Sequence, residues 1–456
     1  MLRRTRTGAS RSLLLALWIG VTALWLSAAP AFAIPSFARQ TGMACSTCHT
    51  VIPSLTVFGR QFKLRGYTLG GNLDDKSFPY NLPLAIGVQI ANTSIKDPDK
   101  GADAAEDFPR ADKTIVQQVA VYYGGRIAGN VGAMLQYNWD GIERKWGAEM
   151  GDIRYADSVT ANGKDLLYGV SMSNSPAVQD LWNTSPMWSF PHLDNAGIMP
   201  MVTSLLDMTL ANQVGGVALY GFYDSQYYGE VGFFHNGKKG VFRPLNWGDE
   251  LTTAVKGNAP HLRLAWEKNW ESNSLEIGMH ALRANIYPDP DNQSGPTDRF
   301  TDLVLDGQYQ HDGGGHLYSV HAFYSHEKRD WRASFPGAMA SNASDNLNTL
   351  RLSAHYWYQR KIGGGIGLFD YRGERDMLKY AMGGMPSALG NATGSPDTRG
   401  WMAEVDWLPL RNEQNLKLGL RYTAYTKFNG ASDNYNGFGR NAADNNSVFA
   451  YLWLLY

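Results

Sequence analysis

Near the end of the chain, Leu416, Leu418, Leu420, Tyr422 and Ala424 interleave with Lys417, Gly419, Arg421, Thr423 and Tyr425. An extended segment of this kind carries one apolar and one polar face. The same alternation sets Leu350, Leu352, Ala354, Tyr356 and Tyr358 against Arg351, Ser353, His355, Trp357 and Gln359. It returns in Leu262, Leu264 and Trp266 against His261, Arg263 and Glu267, and in Leu84, Ile86, Val88 and Ile90 against Ala85, Gly87 and Gln89. Followed along the whole chain, the period of two predicts strands over 82–95, 115–125, 131–140, 152–159, 165–173, 214–224, 227–235 and 261–270. The second half predicts 275–287, 300–311, 316–327, 349–359, 365–372, 401–408, 416–427 and 447–456. Most lie near the ~9–11 residues that a tilted membrane strand needs.

Alternation also suits a soluble sandwich, so the connections decide. Short ones at 160–164, 225–226, 271–274 and 312–315 take turns with long polar ones at 96–114, 236–260, 330–348 and 373–400. Short turns on one rim and long loops on the other define an outer-membrane barrel, the turns periplasmic and the loops outside. An even strand number puts both barrel ends on the periplasmic side. The chain stops on an apolar strand ending in an aromatic residue, "NNSVFAYLWLLY", which resembles the terminal assembly signal of such barrels. Closing that strand on the first leaves no unpaired edge in lipid. The fold expected is therefore all-β, a 16-stranded antiparallel transmembrane β-barrel, the size at which a lumen stays aqueous.

Composition agrees. Forty-nine glycines with 14 Trp, 24 Tyr and 18 Phe describe a β-rich chain with many tight turns and rings. Basic and acidic residues nearly cancel, 41 against 42, which leaves no field to recruit nucleic acid. At the start, Arg3, Arg4, Arg6 and Arg11 precede an apolar run over 13–26, and Ala31-Phe32-Ala33 supplies small residues where a signal peptidase reads. Residues 1–33 are read as a cleaved secretory signal, with an uncleaved anchor as the rival.

The only two cysteines, Cys45 and Cys48, stand in "GMACSTCHTVIPSL" with His49 directly after them. In an exported protein Cys-x-x-Cys-His is the attachment signature of c-type haem, the thiols joining the vinyls and the histidine ligating iron. A thioredoxin-like pair needs a βαβ context that is missing, and a structural zinc site wants four ligands where this region offers three. The expected cofactor is one covalent haem c on Cys45, Cys48 and His49. No general acid–base pair, Ser-His-Asp order or phosphate-cradling glycine loop stands out.

The segment "IPSFARQTGMACSTCHTVIPSLTVFGRQFKLRGY" resembles the amino-terminal part of the fused outer-membrane monohaem cytochrome c-porins of iron-oxidising bacteria, and the barrel pattern extends the resemblance over the rest of the mature chain. The resemblance implies a monohaem cytochrome segment at 34–80 joined to a sixteen-stranded porin at 81–456. It implies electron transfer from extracellular Fe(II) to a periplasmic c-type cytochrome, so that any enzyme activity is that of an Fe(II):cytochrome c oxidoreductase. It also implies thioether roles for Cys45 and Cys48, a proximal ligand role for His49, and haem-segment packing for the 35–39 and 58–67 flanks. The alternatives kept open are a diffusion porin with a structural or sensory haem and a conduit for another extracellular donor. Outer-membrane lipid is the expected surroundings and a monomer the expected state, with an oligomer left open.

About 47 residues at 34–80 are near the lower limit for a domain that folds alone. The segment, mostly helix and loop, is therefore expected to plug the lumen or its periplasmic mouth. The sixth iron ligand has then to come from the barrel, because Met43 sits too close to Cys45 to reach the far haem face. The longest connection, 175–213, corresponds to the third loop that folds inward in general porins, and it carries Met187, His192, Met199, Met201 and Met208. Met199, Met201 and His192 are the distal candidates, with the lumen-parity histidines His261, His280, His321 and His355 behind them. Asp97, Asp99, Asp103, Glu106, Asp107 and Asp112 on the first long loop are hard oxygen donors suited to transient Fe(II), and equally to a solvated or lipopolysaccharide-facing loop.

Overall fold

The computed structural model describes residues 35–69, 83–176, 180–185, 192, 194–248, 250–410 and 415–456. The expected signal segment at 1–33 lies outside them, as does Met187. Sixteen strands form one closed antiparallel barrel. They are β1 Leu84–Ile95, β2 Ile115–Ala128, β3 Val131–Asp140, β4 Lys145–Ala161, β5 Lys164–Ser173, β6 Val214–Tyr223, β7 Tyr227–Asn236 and β8 Ala259–Trp270. The wall continues with β9 Asn273–Ile286, β10 Asp298–Gly313, β11 His316–Asp330, β12 Ser344–Tyr358, β13 Ile362–Gly373, β14 Thr398–Trp407, β15 Leu416–Lys427 and β16 Ser447–Leu455. Each strand pairs with its neighbours in sequence, and β16 closes on β1 from Gly87↔Leu455 to Ile95↔Ser447. Closure satisfies the backbone of every strand, which a wall in lipid requires.

Side-chain parity follows the alternation. Ile86, Ile90, Leu264, Leu350, Leu352, Leu420 and Val448 are exposed on the outside, whereas Gln89, Arg263, Glu267, Arg421 and Thr423 are buried within. Exposed Trp270, Tyr318, Tyr356, Tyr358 and Trp407 gather within a few residues of the short turns, as an interfacial girdle does. Among the described residues no helix is long and apolar enough to cross a membrane.

One rim carries the connections 129–130, 162–163, 224–226, 271–272, 314–315, 359–361 and 408–415, and both ends of the barrel lie there too. The other rim carries 96–114, 174–213, 237–258, 287–297, 331–343, 374–397 and 428–446. One connection departs from the expected parity. β4 begins at Lys145 rather than near 152, so β3 and β4 are joined by 141–144 alone. β12 likewise begins at Ser344 rather than near 349. In both, the ladder continues past the apolar band, because main-chain hydrogen bonding does not need the side-chain alternation that lipid imposes.

Residues 35–69 form three short helices, α1 Pro35–Thr41, α2 Cys45–Cys48 and α3 Val57–Leu64. They lie against the inner wall near the short-turn rim. Gln40 Nε2 donates to the Gly124 carbonyl at 2.8 Å, Arg360 Nε donates to the Thr50 carbonyl at 3.0 Å, and the Arg39 guanidinium donates to the Leu84 carbonyl. At the far end of the segment the two main chains touch. A Cβ on Gly132 of β3 would stand 2.1 Å from the Gly66 carbonyl oxygen, so only glycine fits there.

Candidate functional site

The Cys-x-x-Cys-His turn is fixed by local bonds. The His49 N–H donates to the Cys45 carbonyl at 2.8 Å, closing α2, and His49 then pairs with Leu55 as a β-bridge. Thr56 caps α3 by accepting from the Gly59 N–H at 3.0 Å, and its hydroxyl donates back to the Thr47 carbonyl at 2.6 Å. α3 can approach because residue 59 lacks a side chain: a Cβ there would lie 2.0 Å from the Cys48 carbonyl oxygen. An aromatic trio backs the turn. Phe37 packs edge-on to Phe62 at 5.2 Å and stacks on Tyr67 at 5.7 Å.

Cys45, Cys48 and His49 open onto one cavity of about 480 Å³, within the ~300–1,000 Å³ usual for cofactor sites. Phe37, Phe62 and Tyr67 line it from the segment. Met134, Trp453 and Leu455 line it from the wall, and His192, Gly197, Ile198 and Met199 line it from the long 174–213 connection. Neither cysteine is in a disulfide. Burial, with Cys45 adding to it, pushes the Cys48 thiol up to about 11, the opposite of the activated thiolate in a redox-exchange pair.

His49 Nδ1 donates to the Pro53 carbonyl at 3.3 Å. A carbonyl only accepts, so the proton sits on Nδ1 and the lone pair on Nε2, the tautomer that a metal takes and that a backbone carbonyl commonly fixes. Burial pushes the imidazole down to about 4, against the backbone hydrogen bonds that oppose it, and so keeps it neutral. Two thiols, a neutral oriented imidazole, an aromatic wall and the cavity volume fit a covalently attached haem.

The segment is latched to the wall through α3. Arg60 and Glu267 are both 2% exposed and pair at 2.9 Å. Arg60 also donates to the Leu55 carbonyl at 3.0 Å, Gln310 Oε1 at 2.9 Å and Ser274 Oγ at 2.8 Å. The Tyr67 hydroxyl donates to Asp152, and the Tyr220 hydroxyl donates to the Leu64 carbonyl at 2.6 Å. Lys63 stands 4.0 Å from Asp152, and burial pushes its ammonium down to about 8 against that carboxylate's pull.

The described residues of the 174–213 connection run inside the barrel. The Tyr425 hydroxyl donates to the Ile198 carbonyl at 2.9 Å, and the Leu205 and Leu206 N–H groups donate to Glu327 at 2.8 Å and Asp302 at 2.9 Å. Of the distal candidates, His192 and Met199 reach the cavity wall. Met201 lies elsewhere, its sulfur 3.6 Å from Asn391 Nδ2, and Met208 packs with Tyr371, Tyr425 and their apolar neighbours. His261 and His280 meet each other at 3.4 Å, away from the cysteines. His321 and His355 line another cavity, of about 200 Å³. The acidic residues of the first long loop do not converge either: Asp103 caps a short helix, and Asp107 accepts from Ser387 and the Ala388 N–H.

A buried polar cluster escaped the sequence reading. Arg263 pairs with Glu276 at 2.9 Å, with Asp306, and more loosely with Asp180 at 3.7 Å. Asp180, His280 and Asp306 bring three ligand-type atoms within 4.8 Å of one another. Their oxygens are already engaged, Asp180 by the Trp182, Thr184 and Ser185 N–H groups and Asp306 by Arg263 and Thr184. Inward parity flags Arg263, but its partners come from other strands and from the inward connection, which no local pattern announces.

No protein-family model matches the chain, and no curated protein matches it in sequence. Among solved structures it is similar to OmpF of Salmonella typhi, solved in complex with daunomycin, with 9% identity, a TM-score of 0.46, and coverage of 82% of this chain and 97% of that one. It is also similar to the outer-membrane channel DcaP of Acinetobacter baumannii, at 10% identity and TM-score 0.41 over 82% and 96% of the two chains. The anion-selective porin from Comamonas acidovorans aligns at 10% identity and TM-score 0.41 over 82% and 98%. Likeness at this level says nothing of ligand or activity; the sixteen-stranded closure rests on the strand pairing itself.

Proposed function

We propose that this chain is an electron-transfer protein of the bacterial outer membrane, with one haem c joined to Cys45 and Cys48 and held by His49. It accepts electrons from an extracellular donor, Fe(II) first among them, and delivers them to a periplasmic c-type cytochrome. The observation that carries this reading is the cavity onto which both thiols and the neutral, Nδ1-protonated His49 open. A haem bound there supplies one-electron redox chemistry. The chain's own residues orient the imidazole through Pro53, hold the attachment turn against α3 through Gly59 and Thr56, and fasten the segment to the wall through Arg60. The position of the segment near the short-turn rim supports a periplasmic acceptor, since the short turns of such barrels face the periplasm.

The test uses the whole chain, expressed where cytochrome c maturation operates and purified in detergent. A pyridine haemochrome assay should find one covalent haem c per chain, absent in the Cys45→Ala/Cys48→Ala variant. Stopped-flow mixing with Fe(II) should then reduce it. A chain without covalent haem refutes the reading. The sixteen-stranded wall favours a second reading, a diffusion porin, which open-channel conductance in planar bilayers together with haem that Fe(II) leaves oxidised would select.

A further inference from the structure

We infer that His192, carried into the barrel on the 174–213 connection, is the second axial ligand of the iron opposite His49. This deepens the proposed function and rests on its haem. His192 lines the same cavity as Cys45, Cys48 and His49. It is 1% exposed, and its Nε2 has no hydrogen-bond partner among the described residues. An imidazole nitrogen buried without a partner costs ~1–3 kcal/mol, so its retention calls for a bond that the described residues do not supply. A metal bound in the cavity supplies one.

The ring is held, not loose. It packs on Tyr451 at 4.2 Å and edge-on to Trp453 at 4.8 Å, and its own carbonyl accepts from Arg421 Nη2 at 2.5 Å. The Tyr451 hydroxyl is anchored in turn on Asp406 at 2.8 Å. A ligand needs this kind of outer support to keep its orientation. Methionines also line the cavity, but a thioether buried without a partner costs almost nothing. Met134 packs with the cluster of Ile52, Tyr122 and Leu455, and Met199 with that of Ile198, Tyr425 and Phe428. Packing explains Met134 and Met199; it does not explain His192. The resulting bis-imidazole iron would sit at a lower potential than a histidine–methionine one.

The whole haem-loaded chain decides the matter by near-infrared magnetic circular dichroism and electron paramagnetic resonance of the oxidised state. The wild type should give the low-spin signature of two imidazoles. His192→Ala should keep its covalent haem by haemochrome, lose the low-spin signal, and recover it on addition of imidazole. His192→Met should show a sulfur-to-iron charge-transfer band and a raised midpoint potential. A methionine signature in the wild type, or an unchanged bis-imidazole signal in His192→Ala, overturns the inference while leaving the haem in place. A wild-type chain with no covalent haem overturns the proposed function first and this inference with it. If His192→Ala fails to insert, the wild-type spectrum and His192→Met still decide.

Discussion

Arg60→Met is the sharpest test of how the amino-terminal segment is held. The change keeps the aliphatic stem and removes a guanidinium whose partners lie mostly on the wall, at Glu267 of β8, Ser274 of β9 and Gln310 of β10. Among the described residues Glu267 would then keep Trp182 Nε1 and Asn269 Nδ2 as side-chain donors, with no cation paired to it, in a position that is 2% exposed. Removing one partner of a buried ion pair costs ~3–5 kcal/mol, because the charge left behind is uncompensated. At ~1.4 kcal/mol per tenfold, that is roughly two to three and a half orders of magnitude in the equilibrium for lifting the segment off the wall. Hydrogen exchange followed by mass spectrometry on the whole chain in micelles reads it directly. Peptides covering 57–69 should lose protection by about 100-fold or more, while β8 to β10, paired along their length, should not change. Arg60→Met/Glu267→Gln removes the orphan charge and should restore part of the protection. Unchanged protection in Arg60→Met, or a double variant worse than the single one, refutes the latch.

Two further perturbations act on the same segment. Gly59→Ala gains ~1 kcal/mol of helix propensity, yet its Cβ meets a backbone carbonyl that cannot swing aside, so the net effect should be a loss of ~1–3 kcal/mol or more. Fewer haems per inserted barrel and faster exchange over 45–64 are expected, and a gain in protection would contradict the contact. Lys63, normally near 10.5 and pushed down to about 8 by burial, penalises the folded state fully below pH 8, and that penalty is relieved as pH rises from about 8 to 10.5. Lys63→Met should therefore raise the thermal midpoint at pH 7, by up to ~3 kcal/mol of stabilisation at the upper bound, and by nothing above pH 10.5. An equal gain at both pH values would show that apolar packing, not the buried charge, is responsible.

What could be read from the sequence follows the distance over which each feature is encoded. Lipid imposes a period of two on every strand it touches, so the number and order of strands were legible, and Leu416 to Lys427 matched to the residue. Where strands leave the lipid, as in 145–151 and 344–348, the ladder persists without that constraint, and the boundaries were missed. That Cys45, Cys48 and His49 stand together on one cavity was legible because their spacing is local. Arg60 was not, since Glu267 lies 207 residues away and Gln310 250 residues away, and nothing beside Arg60 marks it as a buried latch. His192 was legible only as one of several candidates on a long connection. Separating them needed the closed lumen, which carries Met201 and Met208 away from the cavity and leaves the His192 Nε2 without a hydrogen-bond partner among the described residues.

The same long-range encoding explains how so small a segment can form one side of the cavity. A domain that folds alone turns its charged side chains to water, but here Arg60, at 2% exposure, and the Tyr67 hydroxyl point into a wall that was built to receive them. The apolar residues Phe37 and Phe62 pack with Tyr67 and also line the cavity, so the segment's own interior is little more than that trio. Of the two conditions for a packed domain, an interior and satisfied polar groups, the segment supplies part of the first, and the barrel with its inward connection supplies the rest. The Cys45–His49 turn can therefore stay short and local, while the far side of the pocket comes from His192, Met199 and Trp453, elements that closure of the barrel places together.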